Sequence, residues 1–214
     1  MKKFNFILIF TFVLIISGCA YVPHSLNLSI NNTNPPSNIG EGLSIYINVI
    51  DDRDSEIIGK RGVSNIGGSI TANQLMPIFE TAIINGFKNK SFTINANDDA
   101  DVSIQIKLRA FKYMVSQGFW TGGEDISVVI NAEAKNSGAN FQKTYRFSNE
   151  ERIVFIAEGS GLDRNLNNAL NITISELLND KELDNFLSKN WYFISDISIK
   201  LLAIKLFSSV LFNS

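Results

Sequence analysis

Between Asp101 and Phe111 the chain reads "DVSIQIKLRAF", in which Val102, Ile104, Ile106, Leu108 and Ala110 alternate with Ser103, Gln105, Lys107 and Arg109. A period of two sends successive side chains to opposite faces, so this segment is a strand with one buried and one solvated face. Such a strand needs neighbours of the same pattern and a layer to cover its apolar side. The neighbours are "LSIYINVI", with Leu43, Ile45, Ile47 and Val49 on one face, and "DISVVINAEAK", with Ile126, Val128, Ile130 and Ala132. "ANFQKTYRFS" follows the turn Asn136-Ser137-Gly138, and "SFTINAN" supplies a shorter strand. Clean alternation favours an antiparallel sheet with one solvated face.

The cover comes from two helical stretches. In "TANQLMPIFETAIINGFKNK", Leu75, Phe79, Ala82, Ile83 and Phe87 recur at helical spacing. Thr71 with Gln74 resembles a capping box, and Pro77 implies a late start or a kink. Residues 160–188 carry Leu162, Leu166, Ala169, Leu170, Ile174, Leu177 and Leu178, and Asp180 is placed to cap a second piece, "KELDNFLSKN". The order is strand, helix, four strands, helix. It predicts an α+β fold of two layers: a mostly antiparallel sheet of about five strands with two main helices packed on one face.

The N-terminus sets the compartment. Lys2 and Lys3 precede an apolar run from Phe4 to Ile16, and Ser17-Gly18 stands before Cys19. A positive start, an apolar centre and small residues form a secretory signal, too short for a spanning helix of about 20 residues. Ile16-Ser17-Gly18-Cys19 resembles a bacterial lipobox, cleaved between Gly18 and Cys19, with Ile16 where Leu is usual. That resemblance implies a diacylglyceryl group on the Cys19 sulfur and a further acyl chain, such as palmitate, on its amine. More than one chain makes anchoring stable. Ala20, in place of Asp, implies the outer membrane of a Gram-negative bacterium, with the protein facing the periplasm.

Cys19 is the sole cysteine, so once acylated it leaves no thiol for a disulfide or a metal. The fold must then rest on its core. Two of the 19 basic residues leave with the signal, so 17 face 21 acidic residues, a net charge of −4. That balance excludes the clustered basic footprint of nucleic-acid binding.

Four segments result: a signal peptide over 1–18, a lipidated N-terminus and flexible tether over 19–41, one α+β domain over 42–190, and a hydrophobic extension over 191–214. The tether is expected from "NNTNPPSNIGEG", although Leu26, Leu28 and Ile30 alternate as a short edge strand would. In the extension, Asp196, Lys200 and Lys205 interrupt the apolar residues. Its readings stay open: a span, a membrane or protein contact, or a segment with little selected function.

Three stretches resemble the YajG-type family of bacterial lipoproteins: "TANQ" at the first helix, "VSQG" (Val115 to Gly118) ending the long central strand, and "LDRNLNNALNITISELLNDKELDNFLSKN". The resemblance implies a lipid-anchored envelope protein and carries no catalytic signature. The extension departs from the family, whose members end near the position of Asn190.

Catalytic chemistry is scarce. The one histidine, His24, lies a few residues from Cys19, which argues against Ser-His-Asp and Cys-His arrangements. "DDRDSE" spaces Asp52, Asp54 and Glu56 like a calcium loop, but Ile57 stands where Gly is needed and Val63 where a bidentate Glu is needed. It reads as a solvated turn with Arg53 neutralising its neighbours. "GKRGVSNIGG" fits no phosphate-binding pattern and reads as a mobile loop. No cofactor or metal is expected. Glu124 and Asp125 lie beside Phe119 and Trp120 in "GFWTGGED"; this loop is the candidate partner-binding surface, because exposed aromatics anchor interfaces. The expected role is non-enzymatic binding to another envelope protein. The alternatives are an accessory lipoprotein of an envelope lipid or ABC-type transporter and, third, a cell-wall hydrolase using Glu124 and Asp125.

Overall fold

The computed structural model describes residues 22–31, 34–62, 67–97, 99–117, 122–153 and 160–188. The signal, Cys19 and the extension over 191–214 lie outside them.

Three long strands dominate the sheet: β6 (Val102–Gln117), β7 (Gly122–Asn136) and β8 (Ala139–Ile153). They form an antiparallel meander, turning at Ser137-Gly138, where both residues take positive φ. Five shorter strands complete it: β1 (His24–Ser25), β2 (Ser44–Asp51), β3 (Gly59–Lys60), β4 (Ser69–Thr71) and β5 (Thr93–Asn95). The free edge of β6 is shared. Its first half pairs with β2, and Tyr113 in its second half pairs with Gly59 of β3. The change of partner follows a bulge between Leu108 and Ala110. The extra residue shifts the alternation, so that Phe111, Tyr113 and Val115, and not Ala110, continue the buried row.

This corrects the expected sheet. It has eight strands, is mixed, and is strongly curled into a half-barrel, with parallel pairing in four of its seven strand contacts. The reason lies in the connections. Between β2 and β5 the chain passes through helix α1 (Leu75–Lys88), and a helical crossover returns a strand parallel to the one it left. The alternation in β6 reports one buried face and is silent on the direction of each neighbour. Strands β1, β3 and β4 have two or three residues, too few for a period; β3 sits inside the stretch expected to be a loop.

Among the described residues there are three helices, rather than two: α1, α2 (Ser160–Leu178) and α3 (Lys181–Ser188). Phe79, Ile83 and Phe87 of α1 and Leu162, Leu166, Leu170 and Leu177 of α2 are buried, each contributing roughly 1.5–3 kcal/mol. Helix α1 starts at Leu75 after Gln74 in left-handed conformation, with no side-chain cap, so the expected capping box is absent. Pro77 then falls in the first turn, where its missing N–H breaks no helical bond. Helices α1 and α2 touch at Gly86, where an added Cβ would lie 2.5 Å from a Leu178 methyl.

Asp180 does cap α3. Its Oδ1 accepts from the Glu182 N–H at 2.9 Å, and its Oδ2 accepts from the Tyr145 hydroxyl at 2.6 Å and Lys143 Nζ at 3.0 Å. Burial pushes its carboxyl up, but the bonds from Tyr145 and Lys143 together hold it below its ordinary value. Asn136 of β7 donates to the Phe186 carbonyl at the other end of α3. Lys90, just past α1, forms a buried ion pair with Asp184 of α3. In the charged turn, Arg53 makes a two-pronged contact with Asp51 at 2.8 Å.

Candidate functional site

The segment expected to be a tether is docked instead. From Val22 to Asn31 the chain lies along α2 and the edge of β4, with Leu26 buried. Contact begins at Val22, whose carbonyl oxygen lies 2.1 Å from where a Cβ on Gly68 would stand, so that position admits only glycine without a backbone shift. Leu26 N then donates to the Thr71 carbonyl at 2.7 Å.

Beyond that point a helix takes over the role of a sheet partner. Asn167 accepts from the Ser29 N–H at 2.9 Å and donates to the Asn27 carbonyl at 2.8 Å. Asn171 accepts from the Asn31 N–H at 2.8 Å and donates to the Ser29 carbonyl at 2.9 Å. Each side-chain amide thus reads the backbone as a neighbouring strand would. One turn earlier, Asp163 Oδ1 lies 2.6 Å from His24 Nε2. Asp163, Asn167 and Asn171 stand four residues apart, on one stripe of the helix. Leu28 and Ile30 pack against the core. The flexible-tether expectation therefore fails over the described part of 22–41. Its polar composition concealed a backbone whose hydrogen bonds are met by asparagines more than a hundred residues away.

The candidate residues around position 124 separate. Phe119 and Trp120 lie outside the described residues, between Gln117 and Gly122, which pair across the hairpin. Glu124 and Asp125 are adjacent on β7 and point to opposite faces. Glu124 turns inward and is 3% exposed, within 3.3 Å of the Asn165 amide of α2, while Asp125 pairs in register with exposed Met114. The two carboxylates cannot converge on one bond, as a glycosidase needs. Glu124, Ile126, Phe147, Asn149, Asn165 and Asn168 line a polar cavity of about 130 Å³, small beside the ~300 Å³ at which small-molecule sites begin.

Tyr113 is buried with its hydroxyl near Glu124. Burial and the nearby charge of Glu124 push its phenol well above the usual range, with Arg61 opposing. Among the described residues, no three His, Cys, Asp or Glu side chains form a metal-sized group. Nor is any described helix long and apolar enough to cross a membrane.

The asparagine stripe was missed from sequence. The available signal was the four-residue spacing in "DRNLNNALN" together with the alternation of Leu26, Leu28 and Ile30.

Residues 31–188 match the family Lipoprotein_16, described as uncharacterized lipoprotein. No curated protein matches the chain. Among solved structures, protein XCC0632 from Xanthomonas campestris is similar at 14% identity and a TM-score of 0.47, over 74% of this chain and 91% of that one. The PelC dodecamer subunit from Paraburkholderia phytofirmans is similar at 12% identity and a TM-score of 0.36, over 70% and 96%. Both scores lie below 0.5, so the family match, and not these shapes, places the protein. The chain belongs to the YajG-type family of uncharacterised lipoproteins.

Proposed function

We propose that this protein is a lipid-anchored, non-enzymatic binding module of the bacterial envelope, held by acyl chains on Cys19 in the outer membrane and facing the periplasm. The observation that carries this reading is the lipobox Ile16-Ser17-Gly18-Cys19, set after an apolar signal in a chain of a lipoprotein family. The divergence of Glu124 and Asp125 supports a binding role over hydrolysis of cell-wall sugars. Its partner is another envelope protein.

The test is Cys19→Ala in cells. Loss of acylation and accumulation of a precursor bearing residues 1–18 supports the anchor; normal processing to the usual membrane removes it. Crosslinking in intact cells from the β6–β7 loop tests the partner. Release of muropeptides by purified protein, abolished in Glu124→Gln, would replace the binding reading with the enzymatic one.

A further inference from the structure

The docked N-terminal segment fixes more than the fold. A single row of register partners crosses the sheet: His24, Ile70, Gly59, Tyr113, Ile126 and Asn149. Strand β1 is parallel to β4, β4 antiparallel to β3, and β3 parallel to β6. Hence β1 runs against β6, and residues preceding His24 lie on the side toward Val115 and its partner Glu124. Helix α2 independently places His24 and Glu124 at nearly the same level of the domain. Asp163 meets His24 and Asn165 meets Glu124, two residues apart, or about 3 Å along the axis. The segment also runs in the direction of the helix, from His24 at Asp163 to Asn31 at Asn171.

Only three peptide steps separate Cys19 from Val22, which already touches Gly68. Fully extended, three residues span at most about 11 Å. A free tether over 19–41 would have allowed several times that distance and every orientation.

We infer that the end of the domain formed by β1, the start of α2 and the Glu124 cavity faces the lipid surface at a distance of about 11 Å or less. This rests on acylation of Cys19. The surface chemistry agrees. The large apolar side chains that are exposed among the described residues are Val22, Ile57 and Met114. Two of the three belong to this end: Val22 precedes β1 and Met114 stands one residue past the His24 row, whereas Ile57, two residues before Gly59 on β3, lies on the other side of that row. The opposite end, at the β7–β8 turn, lies about nine residues or ~30 Å along the strands from Ile126, and is polar, with Lys135, Ser137 and Asn140 exposed. The partner of the apolar end is the lipid surface itself, and the far turn faces the aqueous compartment.

The lone cysteine makes the test clean, because acylation consumes it. The acylated full-length protein, carrying Met114→Cys or Asn140→Cys labelled with a fluorophore, is reconstituted into phosphatidylethanolamine–phosphatidylglycerol vesicles containing a head-group quencher. Quenching at position 114 several-fold stronger than at position 140 is expected. Equal or reversed quenching on protein that floats with the vesicles overturns the orientation while leaving the anchor standing. Protein that is acylated at no residue, or does not float, overturns the anchor and the orientation with it. In the background Asn167→Ala/Asn171→Ala the contrast between the two labels should fall while flotation persists; an undiminished contrast overturns the role of the docked segment.

Discussion

Removing the two asparagine amides isolates the contribution of the docked segment. The double variant Asn167→Ala/Asn171→Ala deletes four hydrogen bonds to the backbone of residues 27–31, each between 2.8 and 2.9 Å. A typical bond contributes about 0.5–1.5 kcal/mol net, and these lie toward the solvent, so the lower figure applies. Four of them amount to about 2 kcal/mol. Alanine is a better helix former than asparagine, so α2 itself is not weakened. The loss therefore falls on local opening of the segment, a change of about 30-fold in its equilibrium at 1.4 kcal/mol per decade. Native-state hydrogen exchange followed by NMR reads it directly. The Ser29 and Asn31 amides should exchange about 30-fold faster, the Leu26 amide, held by Thr71, should change less, and Ile104 and Ile130 should keep their rates. Unchanged rates at Ser29 and Asn31, or an equal acceleration at Ile104, would refute a side-chain ladder as the source of their protection.

Lys90→Met leaves Asp184 buried without its partner and should cost about 3–5 kcal/mol in urea denaturation, whereas adding Asp184→Leu should restore most of it. Gly86→Ala forces a methyl against Leu178 and should cost about 1–3 kcal/mol, a cost relieved by Leu178→Val. Asp51, Asp101 and Asp180 are held below their ordinary value of 3.8 in the folded chain. Their contribution is fully present above that value and is lost as the pH falls through the lower folded values, so urea midpoints should drop below about pH 4. Asp180→Asn keeps the cap on α3 and should flatten part of that drop.

Much of the architecture was legible in residue patterns. The alternation in 102–108 and 126–132 gave the long strands and their buried face, the spacing of Phe79, Ile83 and Phe87 gave α1, and Asp180 gave the start of α3. What was hidden is what depends on partners far away in sequence. Strand direction is decided by the route of α1, and the two-residue strands exist only through pairing with Tyr113 and Ile70. The bulge at Arg109 reverses a phase that the alternation through Ala110 seemed to continue. Composition placed 22–41 in a tether because asparagines and serines solvate well; the same polarity lets its backbone bond to Asn167 and Asn171. At the candidate site, adjacency in sequence paired Glu124 with Asp125, and the pleat of β7 parts them.

The most direct test of anchoring is the intact mass of the protein extracted from cell membranes. A chain beginning at Cys19 and carrying one diacylglyceryl group and one further acyl chain is expected. A mature chain without lipid, or one beginning at any other residue, would contradict the anchor and the membrane-facing orientation built on it.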